Sequence, residues 1–336
     1  MKIKFIQRAL DRIRGKKHLE IPAPYYNNRI YLPSEYPDIY NKNGRKMDVF
    51  FLRDRHFSHS PYGTFPTYFL WDRFNYGLKT HFYTGKSIKE TVGTPDVKYG
   101  WLLEPRSKQL IDYTSIENNK ELTKEFKAIL TYDEKLLDKL DNAVFFPGCA
   151  SSWVEEADPD LWQQKTKNAS ILSSDKKTCP LHFLRLDIAW KCKKEGLADT
   201  FGTFDGGKPI KMIESLKNYR YSIALENQIS DYFFTERLVS AFLTMSVPIY
   251  LGARKIDRLF NPDGIIRIDE KQAEHIEDVL KQCSEADYMN RLPAIHENYE
   301  RALAYMNLHD MLYETLFLPQ SERKLKFDFS GIGKQQ

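Results

Sequence analysis

The chain has 336 residues, of which 42% are hydrophobic and 14% aromatic, and its formal net charge is +4. This composition excludes a disordered chain and is typical of a soluble globular protein long enough for two domains, while so small a net charge excludes nucleic-acid binding through overall charge. No apolar stretch approaches the roughly 18 residues that span a bilayer, and the amino terminus lacks the apolar core of a signal peptide, so we expect a cytoplasmic protein.

The first twenty residues hold an excess of positive charge. They contain seven Lys and Arg side chains against Asp11 and Glu20, a net charge of +5. Apolar side chains recur among them at roughly helical spacing, at Ile3, Phe5, Ile6, Leu10 and Ile13. The pattern predicts a short amphipathic helix over residues 1–17 that lies on an anionic membrane surface. A helix packed on the body of the protein and a frayed terminus are the alternatives.

Short apolar runs alternate with helical patterns through the first half of the chain. Such alternation indicates βαβ units and a parallel sheet. The predicted strands are Met47–Leu52, Tyr99–Leu103, Ala128–Thr131 and Ala143–Phe146, and the predicted helices are Asn118–Lys127 and Asp133–Leu140.

The chain turns polar between Trp153 and Lys167, and we place a domain boundary there, between residues 1–160 and residues 161–336. Asp158 and Asp160 form a D-x-D pattern, a spacing that binds metals in some proteins. Because this pair does not follow an apolar strand, we interpret it as part of a solvated linker. The four cysteines show no C-x-x-C spacing, so we predict reduced thiols and no protein ligand to a metal.

The second half repeats the alternation and then becomes helical. The predicted strands are Ala169–Leu172 and Gly264–Ile268, and the predicted helices are Pro180–Lys194 and a mostly helical stretch over Glu270–Phe317. Together with the first half, this pattern predicts an α/β protein of two facing Rossmann-like domains with a helical carboxyl-terminal segment. A cleft between two such domains is the usual place for a small-molecule ligand.

The segment Tyr219–Gly252 carries the chemistry of the second half. An apolar strand stops at Glu226 and Asn227, a helix opens at Thr235–Arg237, and a second apolar run follows at Val247–Leu251. Polar groups therefore gather where the first strand ends and the helix begins, which is where open parallel sheets bind ligands.

Glu236 and Arg237 fall in the first turn of this predicted helix. A carboxylate there suits the helix dipole and can accept hydrogen bonds from a ribose diol, whereas a cation is disfavoured at a helix amino terminus. Arg237 is explained if an anion such as a diphosphate docks on the exposed N–H groups beside it. The alternative is that Glu236 is an ordinary first-turn acid and Arg237 a surface side chain.

The residue string of this segment resembles the donor-binding motif of the α-1,3/4-fucosyltransferase family, which has the form F-E-N-S-x-x-x-D-Y-I-T-E-K-L followed by V-P-I-Y-x-G. The matching blocks, in the same order, are Leu225–Asn227, Thr235–Leu238 and Val247–Gly252. Weaker similarity extends to Arg185 with the strand before it, to Asp199–Gly202 and to Trp101–Pro105.

The resemblance implies a GT-B fold, with an acceptor-side domain over residues 1–160 and a domain that binds the GDP-sugar over residues 161–336. It also implies an inverting transfer of fucose from GDP-fucose to a hydroxyl of a glycan, with an α-1,3 linkage expected. A general base activates the acceptor and positive charge stabilises the leaving diphosphate in such a reaction. By motif position Glu104 is the candidate base, and the candidate donor-binding residues are Arg185, Glu226, Asn227, Tyr232, Phe233, Glu236 and Arg237.

Two of these roles have an alternative that is purely structural. Glu104 is otherwise a strand-end acid paired with Arg106, and Arg185 otherwise covers its own helix and pairs with Asp187 or a neighbour. The loop also departs from the family pattern, because Asp231 and Tyr232 come one position early and Phe233 occupies the usual tyrosine position. This departure puts the sugar of the donor in doubt more than its GDP portion.

Three hypotheses follow. The leading one is a GDP-fucose-dependent transferase that acts on a glycan or lipid-linked acceptor, such as a lipopolysaccharide or capsule precursor, without a required cofactor or metal. The second keeps the fold and reaction with a different GDP-linked sugar. The third is a catalytically silent protein that binds a glycan or a nucleotide.

Overall fold

The computed structural model describes residues 48–53, 66–73 and 75–333. The amphipathic helix predicted over residues 1–17 lies outside these ranges. No helix within them combines the length and the apolar character needed to cross a membrane.

Six parallel strands form the first sheet, in the spatial order β2-β1-β3-β4-β5-β6. They are β1 (Asp48–Arg53), β2 (Phe69–Asp72), β3 (Thr80–Thr84), β4 (Val97–Trp101), β5 (Ala128–Thr131) and β6 (Ala143–Phe145). Their connections contain α1 (Leu110–Glu117), α2 (Lys120–Lys124) and α3 (Glu134–Lys139). All residues of β2 and β5 are buried, as expected of parallel strands covered on both faces.

Five parallel strands form the second sheet, in the order β11-β10-β9-β7-β8. In chain order its elements are β7 (Lys167–Leu172), α4 (Pro180–Glu195), β8 (Asp199–Phe201), β9 (Tyr219–Leu225), α5 (Glu236–Leu243), β10 (Val247–Leu251) and β11 (Ile266–Arg267). The chain continues through α6 (Glu270–Glu274), α7 (Ile276–Leu280), α8 (Glu285–Ala302) and α9 (Leu308–Phe317). The predicted architecture of two parallel α/β sheets with a helical carboxyl-terminal segment is confirmed.

The order of strands changes direction at β7 in the second sheet. From β7 the chain adds β8 on one side, whereas β9, β10 and β11 extend from the other side. A crevice opens outside the carboxyl ends of β7 and β9 at such a switch point, and ligands bind there in open α/β sheets.

The last helix returns to the first sheet. The ring of Phe317 stacks on Phe50 in β1 with ring centroids 5.1 Å apart. The Asp310 carboxylate accepts hydrogen bonds from the backbone N–H of Thr67 at 2.7 Å and from its hydroxyl at 2.8 Å. Helix α9 therefore shares a core with the first sheet, although it follows the second sheet in sequence. The domain boundary between residues 160 and 161 stays a prediction.

Candidate functional site

A cavity of about 290 Å³ lies at the switch point of the second sheet. Turns after β7 and β8, the body of β9 and the start of α5 form its walls. Polar lining groups include Ser173, Ser174, Lys176, Glu236 and Arg237, and apolar ones include Trp153, Leu172, Pro209, Ile210 and Met212. Apolar walls with a few convergent polar groups are typical of small-molecule sites.

Helix α5 places a carboxylate and a guanidinium at the cavity. Thr235 caps the helix, because its hydroxyl accepts a hydrogen bond from the Arg237 N–H at 3.4 Å. Arg237 is the one residue of α5 that is not buried. Its Nη1 lies 3.3 Å from Glu236 Oε1 and 3.9 Å from Glu226 Oε2. The two sequence-predicted residues Glu236 and Arg237 thus stand together on the cavity wall.

Glu226 has a different position from the one the motif suggests. Its side chain is fully buried, and its two carboxylate oxygens accept the backbone N–H of Thr235 at 2.8 Å and the Thr235 hydroxyl at 2.7 Å. Burial raises the pKa of Glu226 to about 7, against the opposing effect of Arg237. In this structure Glu226 therefore holds the start of α5 in place and does not line the cavity.

Arg185, Asn227 and His182 form a hydrogen-bonded group, and none of the three lines the cavity. Arg185 Nη1 donates to the carbonyl of Leu225 at 3.3 Å and to Asn227 Oδ1 at 3.2 Å. His182 Nδ1 accepts from the Thr178 N–H at 3.1 Å, so the neutral imidazole carries its proton on Nε2 and donates to Asn227 Oδ1 at 2.9 Å. Two donors therefore fix the orientation of the Asn227 carboxamide.

The guanidinium of Arg185 is buried, and among the described residues it has no ion-pair partner. It is 2% exposed, its Nε has no hydrogen-bond partner, and no carboxylate within the described residues forms an ion pair with it. The alternative pairing with Asp187 is therefore wrong. Burial and, to a smaller extent, the neighbouring Arg237 charge lower the pKa of Arg185 to about 9, against the opposing effect of Glu236 and Glu226. Because an unpaired buried charge is costly, an anion bound between the two arginines would stabilise the site.

Glu104 approaches the same region from the first sheet. It follows β4, its side chain is 30% exposed, and its Oε2 accepts from Lys108 Nζ at 2.9 Å. The predicted alternative partner, Arg106, instead pairs with Glu117 and Asp133, so that alternative is wrong in its partner. The hydroxyl of Tyr113 donates to the carbonyl of Glu104 and fixes the backbone there.

Side chains of both sheets meet beside Glu104. The Ser107 N–H donates to Gln228 Oε1 at 2.9 Å, which joins the loop after β4 to the loop after β9. Burial raises the pKa of the Cys149 thiol, and the carboxylates of Glu104 and Glu236 raise it further. One thiol therefore lies within electrostatic range of acids from both sheets, which brings the candidate base and the cavity wall into one region.

Tyr232 and Phe233 pack against the first sheet. Phe233 is fully buried and its ring lies 4.8 Å from that of Tyr132, while Tyr232 contacts Phe145 edge-on at 5.5 Å. Neither aromatic residue lines the cavity. In this structure the loop 228–233 joins the two sheets, and a direct contact of these two rings with a donor stays a prediction.

Sequence reasoning missed several residues of the site. His182 precedes Arg185 by three positions on α4, and that spacing on one helical face was the signal that could have found it. Ser173, Ser174 and Lys176 follow β7 at the switch point, so the strand-end argument applied to Glu226 also covered them. No sequence pattern indicated a role for Trp153, because it lies in the segment between the two sheets.

Two parallel α/β sheets that meet at the carboxyl ends of their strands, with a cavity at the switch point of the second, define the GT-B architecture. Residues 162–306 match the family model for glycosyltransferase family 10 (fucosyltransferase), C-term. The matched range includes Tyr219–Gly252, so the family model and the motif in that segment point to the same family.

Individual proteins are similar to this chain over part of its length. Over 102 residues the chain is 29% identical to the alpha-(1,3)-fucosyltransferase FucT of Helicobacter pylori, an alignment that covers 30% of this chain and 18% of that relative. A glycosyltransferase from Rickettsia africae ESF-5 aligns over 81% of this chain and 100% of its own, with 10% identity and a TM-score of 0.50. An alpha1,3-fucosyltransferase with GDP-fucose aligns over 78% of this chain and 90% of its own, with 14% identity and a TM-score of 0.47.

Proposed function

We propose that this protein transfers fucose from GDP-fucose to a hydroxyl of a glycan acceptor, with inversion at the anomeric carbon. The observation that carries the proposal is the cavity at the start of α5, where Glu236 and Arg237 stand beside the unpaired guanidinium of Arg185. The match of residues 162–306 to the fucosyltransferase family model supports the same proposal.

Each part of the site has a chemical task in this proposal. The N–H groups at the start of α5, Arg237 and Arg185 bind the diphosphate and stabilise the charge that builds on it as the glycosidic bond breaks. Glu236 accepts hydrogen bonds from the ribose diol, and the oriented carboxamide of Asn227 contacts the transferred sugar. Glu104 removes the proton from the attacking hydroxyl.

Donor specificity tests the proposal. The purified protein is incubated with GDP-fucose, GDP-mannose or GDP-heptose, with and without glycan acceptors, and the release of GDP is measured. We expect release from GDP-fucose, and loss of that release in Glu104→Gln with GDP binding retained. Release from another GDP-sugar but not from GDP-fucose would replace fucose by that sugar, and GDP binding without turnover of any donor would favour a silent binding protein.

One observation favours a different GDP-linked sugar as the second candidate. Phe233 lacks the hydroxyl that the family motif has at this position, and its ring is buried against Tyr132 instead of facing the cavity. The diphosphate contacts do not involve this residue, so GDP binding is common to both candidates.

The proposal extends to the acceptor and to the membrane. An α-1,3 linkage and a lipid-linked acceptor, such as a lipopolysaccharide or capsule precursor, are part of it, with the basic segment of residues 1–17 attracted to an anionic membrane surface. Deleting residues 1–17 should reduce binding to anionic vesicles, and unchanged binding would remove this part. The proposal includes no protein-bound metal, which donor assays with and without a chelator test.

A further inference from the structure

The cavity has an apolar wall that the proposed diphosphate contacts leave unused. Trp153, Pro209, Ile210 and Met212 line it, and none of them lies in an element that carries Glu236, Arg237 or Arg185. Trp153 also lies outside residues 162–306, the segment that matches the family model. The function assigned to that segment therefore leaves the role of this side chain open.

The indole of Trp153 is exposed although its backbone is held firmly. The side chain is 44% exposed. Its backbone N–H donates to Ser240 Oγ of α5 at 3.1 Å. On either side of it, the Ser152 hydroxyl accepts from the Val154 N–H and donates to the Val154 carbonyl, both at 2.9 Å. Large exposed aromatic rings on a fixed backbone are suited to binding, because little conformational entropy is lost on contact.

The apolar segment that shares the cavity with Trp153 is tied to the same part of the chain. Lys211, which lies between Ile210 and Met212, forms an ion pair with Glu155 at 2.9 Å. Ser240 is four residues after Glu236 in α5, so the bond from the Trp153 N–H to Ser240 places the backbone of Trp153 about one helical turn from Glu236. Both Trp153 and Glu236 line the cavity. A planar nucleobase extends from a ribose, and apolar and aromatic surfaces bind its faces.

We propose that Trp153 stacks on the nucleobase of the nucleotide-sugar donor, so that the segment between the two sheets completes the donor site. This inference rests on the proposed function. The polar groups at α5 bind the diphosphate and ribose, and the indole binds the face of the base. Stacking recognises any planar base, so Trp153 contributes affinity for the nucleoside part of the donor and not the choice of base.

The test compares GDP with inorganic pyrophosphate, which lacks the base. Dissociation constants are measured by calorimetry for the wild type, Trp153→Ala, Trp153→Phe and Trp190→Ala, the last a control at a tryptophan of similar exposure, 49%, outside the cavity lining. We expect Trp153→Ala to weaken GDP about 5- to 150-fold and to leave pyrophosphate unchanged. Trp153→Phe should keep most of the GDP affinity, and Trp190→Ala should match the wild type.

Fluorescence gives a second measurement that does not depend on the alanine variant. GDP should quench the intrinsic tryptophan emission of the wild type and leave that of Trp153→Phe unquenched. Unchanged GDP affinity in Trp153→Ala, an equal loss of GDP and pyrophosphate, or equal quenching in Trp153→Phe would overturn the role of Trp153. A wild type that binds no GDP would overturn the proposed donor, and this inference with it.

Discussion

At the scale of single residues, the site is organised around two arginines with different surroundings. Arg185 is buried without a carboxylate partner, and Arg237 is held at the cavity wall beside two glutamates. Their mutual repulsion contributes to the lowered pKa of Arg185. A diphosphate between them would relieve both the repulsion and the cost of burial.

Replacing Arg237 tests this arrangement. Arg237→Ala should weaken GDP binding about 10- to 150-fold, the usual worth of a hydrogen bond to a charged group. Guanosine has no phosphate, so its affinity should change little. Calorimetry measures both ligands, with Arg258→Ala as an exposed control outside the cavity. Equal losses for GDP and guanosine would show that Arg237 shapes the pocket without binding the phosphates.

Glu226 predicts a dependence of stability on pH. Its pKa is raised to about 7 in the folded protein, so the folded state holds the proton more tightly than the unfolded chain does. The resulting stabilisation is present below the ordinary pKa near 4.5 and is lost as the pH rises through about 7, with an upper bound of about 3 kcal/mol. Glu226→Gln should therefore flatten the pH profile of the thermal midpoint between pH 5 and 8, and an unchanged slope would contradict this role.

At the scale of elements, the loop after β9 joins the two sheets. Gln228 bonds to the loop after β4, Phe233 packs on Tyr132, and the Tyr132 hydroxyl accepts the Arg106 N–H at 2.9 Å. The loop that begins beside Asn227 therefore also supports the backbone next to Glu104. This contact gives a physical link between the loop after β9 of the second sheet and the candidate base on the first.

Replacing Phe233 by smaller residues tests whether the loop after β9 stabilises the contact between the two sheets. Phe233→Ala leaves a cavity against Tyr132 and should destabilise the protein by about 3 kcal/mol, as large-to-small changes of a buried phenylalanine do. Phe233→Leu keeps most of the apolar volume and should cost less than about 1.5 kcal/mol. Chemical denaturation compares the two variants, and similar losses for both would show that the ring contact is not what stabilises the contact between the two sheets.

Sequence patterns predicted most of the helices and strands. They did not predict the positions at which capping residues and turns begin or end some of these elements. The strand Ala128–Thr131 was predicted at its observed bounds. In contrast, the helix predicted over Asn118–Lys127 is shorter, Lys120–Lys124, and begins after Asn119, whose side chain caps it by accepting the Leu122 N–H at 3.0 Å. The preceding helix, Leu110–Glu117, was not predicted. The strand predicted over Gly264–Ile268 is two residues long, since Pro262 and Gly264 form a 3₁₀ turn before it.

At the scale of the whole molecule, the carboxyl-terminal helix α9 packs on the first sheet. Helix α9 follows the second sheet in sequence but packs on β1 of the first through Tyr313 and Phe317. Buried Glu314 accepts the Tyr68 hydroxyl at 2.6 Å in the same region. The first sheet is therefore covered in part by residues more than two hundred positions away.

Replacing Phe317 tests how much the packing of α9 on the first sheet contributes to stability. Phe317→Ala should destabilise the first sheet by about 2 kcal/mol and lower the thermal midpoint by about 5 °C. Trp71 and Trp101 lie in that sheet, so tryptophan fluorescence follows its unfolding. Phe183→Ala, at a residue that is 50% exposed, is the matched control. A midpoint unchanged by Phe317→Ala would show that the return of α9 adds no stability.

The sequence by itself determined most of the strands, the helix that carries Glu236 and Arg237, and the resemblance to a fucosyltransferase family, because hydrophobic period, helix capping and a motif in one continuous segment are local properties. The tertiary structure decided what local patterns do not contain. It buried Glu226 and Phe233, left Arg185 without an ion pair among the described residues, placed Trp153 on the cavity and returned α9 to the first sheet. Each of these depends on which distant residues come into contact, and that is settled only when both sheets pack.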